Sequence, residues 1–246
     1  MHFMGDTAAL STLVKDLRTI FGGRLRSLVV YGEHDGLVSE SASSEHTQDL
    51  DGPRHTLAHV ESLTLDDLRV CATYADRWTA KALDVPLFLA GDEFARSLDA
   101  FPIEYGAIMA DYRVIVGPDP FEGLRVRQED LRRACEVQAK SHVIHLREGF
   151  IETGGRGADL ASLIAASAQS FRILLMHVAR LQGEQPSSVD ALIRFAGTLR
   201  LPLEPVRGVL MLRSEKDLGP IEAERIFPDY LAAAERLAHF VDTWAA

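Results

Sequence analysis

Leu25-Arg26-Ser27-Leu28-Val29-Val30-Tyr31-Gly32 is a short run rich in β-branched residues that closes on glycine. It reads as a strand with a turn at its end. On its N-terminal side, Leu10, Leu13, Val14, Leu17 and Ile20 recur at helical spacing between Thr7 and Phe21. Asp6 or Thr7 can cap that helix and Gly22-Gly23 can end it. On its C-terminal side, Glu33 to Pro53 is polar, Ser-rich and acidic without a usable period. That predicts a loop of about 20 residues, a length that is usually functional or disordered.

Strand signals resume at His55 to Val60, at Pro86-Leu87-Phe88-Leu89 and at Arg113-Val114-Ile115-Val116-Gly117, the last ended by Pro118-Asp119-Pro120. A helix is expected from Leu65 to Leu83, with Leu68, Ala72, Ala75, Trp78 and Ala82 on one stripe, and a short one from Asp92 to Leu98. Phe101 to Met109 supports no single assignment. Beyond residue 124 the periodicity is helical throughout: Gln128 to Glu152, Asp159 to Leu181 (apolar nearly all round, hence central), Ser187 to Leu199, Val206 to Leu212 and Phe227 to Trp244. The expected fold is therefore α+β, with a small mixed sheet over 1–124 followed by an α-helical bundle over 125–246.

Composition bounds the function. The chain has 246 residues, 47% of them apolar and 25% charged, which is ordinary for a globular protein. Its net charge of −10 argues against general binding to nucleic-acid backbone, which needs a basic face. Cys71 and Cys135 alone build neither a disulfide framework nor a cysteine metal site. The first residues lack a secretory pattern, and no unbroken apolar run approaches the ~18 residues of a membrane span. A cytoplasmic protein without membrane association is expected.

Several phrases, in order and spacing, resemble a bacterial family of nucleotidyltransferase-fold proteins with a C-terminal helical domain. They are the Leu25 to Gly32 run, Pro86 to Leu89, Ser97-Leu98-Asp99-Ala100-Phe101-Pro102-Ile103-Glu104-Tyr105, Arg113 to Phe121, and Leu146-Arg147-Glu148-Gly149-Phe150. The resemblance implies a sheet of the polymerase-β type and a bundle like those of aminoglycoside nucleotidyltransferases and HEPN proteins. It also implies a Gly-Ser turn holding triphosphate, an Asp-x-Asp or Asp-x-Glu pair on the next strand gripping Mg²⁺, and a third carboxylate on a later strand.

This chain departs from that pattern. Gly32 is present, but Glu33 stands at the serine position, and the head of the second strand reads Arg54-His55-Thr56-Leu57. A carboxylate beside the turn repels polyphosphate, and arginine ligates no cation. Asp49-Leu50-Asp51 has the required spacing, yet Gly52-Pro53 follows at once and proline interrupts strand pairing away from an edge. Glu33-His34-Asp35 offers further oxygen and nitrogen donors on a turn, and Glu104 is either a remnant of the third carboxylate or a structural brace.

Two other constellations invite chemistry. His142-x-x-His145 has metal-compatible helical spacing, with no third ligand fixed. Arg172-x4-His177 has the form found in HEPN ribonucleases, although residues five apart on a helix diverge by about 140°. Between Glu33 and Asp67 stand nine acids against one base, Arg54, so most of the charge surplus falls where a working relative would receive triphosphate.

The favoured expectation is a catalytically degenerate nucleotidyltransferase-fold protein kept as a binding or regulatory module. The alternatives are an active Mg²⁺-dependent nucleotidyltransferase using Asp49, Asp51 and Glu104 on a small-molecule or protein hydroxyl, and a ribonuclease using Arg172 and His177. Mg²⁺ and a nucleoside triphosphate are cofactors only in the active case. The expected partner is a small molecule or nucleotide in a cleft between the halves, with a homodimer left open.

Overall fold

A computed structural model describes residues 3–32, 54–212 and 217–244, with side chains from residue 8 onward. The chain divides into two compact units, Met1–Val126 and Arg127–Ala246. The first is a mixed four-stranded sheet with helices on both faces, and the second is helical.

Strands β1 (Leu25–Tyr31), β2 (His55–Val60), β3 (Leu87–Ala90) and β4 (Tyr112–Val116) lie in the order β3-β2-β1-β4. β1 is antiparallel to both β2 and β4, while β2 and β3 run parallel. Alternation along the strands divides the core. Leu28, Ala58 and Val60 join Leu13, Leu17 and Phe21 of α1 (Phe3–Phe21) on one face, with Trp78 and Leu83. Val29, Leu57 and Leu89 join Phe94, Tyr105, Ile108 and Phe121 on the other. One run thus feeds two cores because successive strand side chains point opposite ways. Where β4 leaves the sheet, Gly117 (φ +84°) lies so close to β1 that a Cβ there would stand 2.0 Å from the Arg26 carbonyl oxygen. Only glycine fits.

The helix expected over Leu65 to Leu83 is two: α2 (Leu65–Ala72) and α3 (Ala75–Thr79). The Thr73 hydroxyl donates to the Val70 carbonyl at 2.7 Å, and the Thr73 and Tyr74 amides donate three residues back, tightening the turn between them. At the start of α2, Thr64 and Asp67 form a reciprocal capping box, and Arg24 donates to both Asp67 oxygens at 2.8 and 2.6 Å. Those bonds hold the Asp67 carboxyl well below the usual carboxylate range. Residues Phe101 to Met109 resolve into α5 (Pro102–Ala110), with proline in its first turn, after α4 (Glu93–Ser97).

The second unit contains α6 (Gln128–Thr153), α7 (Gly157–Leu181), α8 (Val189–Thr198), α9 (Leu203–Met211) and α10 (Pro220–Thr243). α6, α7 and α10 pack mutually, with α9 against α7 and α10. α7 is long and apolar enough to cross a membrane by length and composition, and half of its most apolar window is buried among its neighbours. α10 begins at Pro220, not near Phe227 as periodicity suggested, and carries Pro228 inside it. The buried Ala223, Ile226 and Phe227 lie ahead of that proline, the first two on turns the expected helix left out.

Trp78 is fully buried, and its indole donates to Asp16 Oδ2 at 3.1 Å across the first core. Trp78→Phe leaves that Asp16 oxygen without its donor, although Arg77 still reaches the other oxygen at 3.2 Å. We expect a loss of about 1–3 kcal/mol, read as a lower urea midpoint at unchanged slope.

Candidate functional site

The C-terminal end of β1 is where the resemblance places nucleotide chemistry. Gly32 sits in the left-handed region (φ +72°), and its amide donates to the Asp111 carbonyl at 3.0 Å. That N–H is engaged in the backbone rather than turned to a ligand. One residue earlier, Tyr31 pairs with His55 on β2 and Tyr112 on β4, and Val30 pairs with Thr56 and Arg113. The head of β2 therefore lies beside Gly32, as the sequence register required.

The side chains there differ from a metal site. The His55 ring stacks on Tyr31 (5.6 Å between centroids), and its Nδ1 donates to Asp84 at 2.6 Å. Burial, with the nearby Asp84 charge, pushes the Tyr31 phenol up. Alternation sets Arg54 on the same face as Thr56, and Arg113 shares that face across β1. Burial, then the like charge of Arg113, lowers the Arg54 pKa. The Thr56 hydroxyl is buried with no hydrogen-bond partner among the described residues. On β4, the Tyr112 hydroxyl donates to Asp119 at 2.7 Å, which raises its pKa.

Mg²⁺ is a hard cation that takes oxygen ligands in near-octahedral geometry, and among the described residues β1, β2 and β4 carry no carboxylate. Among the described residues, no group of three His, Cys, Asp or Glu side chains is placed to hold a metal. Asp49, Asp51, Glu33, His34 and Asp35 lie outside the described residues. Glu104 stands in the first turn of α5, exposed, on a helix rather than a strand. Sequence reading missed Asp84 and Arg113. Asp84 gave one signal, a polar residue two before Pro86 at a strand entrance.

No protein-family model matches the chain, and no curated protein matches it. One solved structure is similar to it. That structure is spectinomycin adenyltransferase AAD(9) from Enterococcus faecialis with ATP and spectinomycin, 13% identical, covering 94% of this chain and 98% of that one, with a TM-score of 0.49.

The second unit holds the remaining candidates. His142 is buried, its Nε2 is 2.9 Å from the Tyr230 hydroxyl, and that hydroxyl also meets Ser167 Oγ at 2.9 Å. His145 faces outward beside Glu148, so the two histidines do not converge on one ion. Arg172 donates to Gln169 and to the Leu210 carbonyl at 2.8 Å, near the end of α9. His177 is buried with its Nδ1 unpartnered among the described residues, and burial, then Arg180, lowers its pKa to about 3. Arg172 and His177 thus serve the bundle interior, and His177 presents no face to a phosphodiester. A separate hollow on α8 is lined by Glu184, Pro186, Arg194, Phe195 and Thr198.

Burial, then His145, lowers the His142 pKa from 6.5 to about 4. His142 is neutral in the fold but protonates in the unfolded chain below pH 6.5. Stability is thus full above that value and falls as pH drops toward about 4. The expected contribution is on the order of 3 kcal/mol. Urea unfolding at several pH values should show this slope, and His142→Gln should flatten it relative to the parent.

Proposed function

We propose that this chain is a nucleotidyltransferase-fold protein that has lost metal-dependent nucleotidyl transfer and acts as a binding or regulatory module. The reading is carried by the head of β2. Where paired carboxylates would grip Mg²⁺, Arg54 and Thr56 occupy one face, and His55, tied to Asp84, and Leu57 occupy the other. Arg54 lies within electrostatic reach of Arg113, and neither guanidinium can ligate a metal ion. The order of the sequence phrases and the mixed sheet followed by a helical unit support the family resemblance. The engaged Gly32 amide supports a turn that no longer cradles phosphate.

Isothermal titration with Mg-ATP and Mg-GTP should give no metal-dependent binding in the micromolar range. Incubation with nucleoside triphosphate, Mg²⁺ and candidate hydroxyl acceptors should release no pyrophosphate. Pyrophosphate release abolished by Asp51→Ala would overturn the reading in favour of an active enzyme using Asp49 and Asp51.

A further inference from the structure

No further inference is drawn: the strongest candidate, the cluster of Arg54, Thr56 and Arg113 at the Gly32 end of the sheet, belongs to the site already described, and with the Asp111 carboxylate two residues from Arg113 its charges select no class of ligand.

Discussion

The first unit depends on a central strand that water cannot reach from either side. Leu28, Val29 and Val30 are buried on alternating faces, one supporting the core of α1 and the other the core around Phe94 and Phe121. Such a strand gains from apolar burial on both faces and can hold no charged group along its middle without a large desolvation cost. Polar chemistry is therefore confined to its ends. At the Tyr31-Gly32 end the neighbouring strands deliver His55, Thr56, Tyr112 and Arg113 in register, so whatever the site binds, the sheet decides which side chains meet there.

That confinement makes the identity of a few residues decisive. At this strand end the backbone brings together a guanidinium, a hydroxyl and an imidazole bonded to Asp84. A sheet keeps its architecture when side chains at a strand end change, because the pairing uses only backbone atoms and apolar faces.

Much of the fold was readable in advance for this reason. The continuous apolar run from Leu28 to Val30 and the long periodic helices from Gln128 onward are direct imprints of burial. The readings that failed involve local competition. Thr73 ends α2 through a hydroxyl bond to a carbonyl, which a stripe of apolar residues does not reveal, and Pro228 lies within α10 although proline usually marks a helix start. The site was less readable still. The approach of Arg54 to Arg113 and the bond from His55 to Asp84 join residues about 30 to 60 positions apart, and only strand order brings them together. Arg172 and His177 showed the reverse problem, since their spacing suggested a reactive pair while the packing of α7 takes His177 inside.

The His142, Ser167 and Tyr230 contact joins one polar atom from each of α6, α7 and α10. Apolar side chains alone would let three long helices slide past one another by a turn at small cost, because one methyl-lined groove resembles the next. A hydroxyl shared between an imidazole and a serine has no equivalent partner one turn away. The contact therefore works as an alignment key, fixing how far each helix is advanced along its neighbours and so which residues each presents on its outer face.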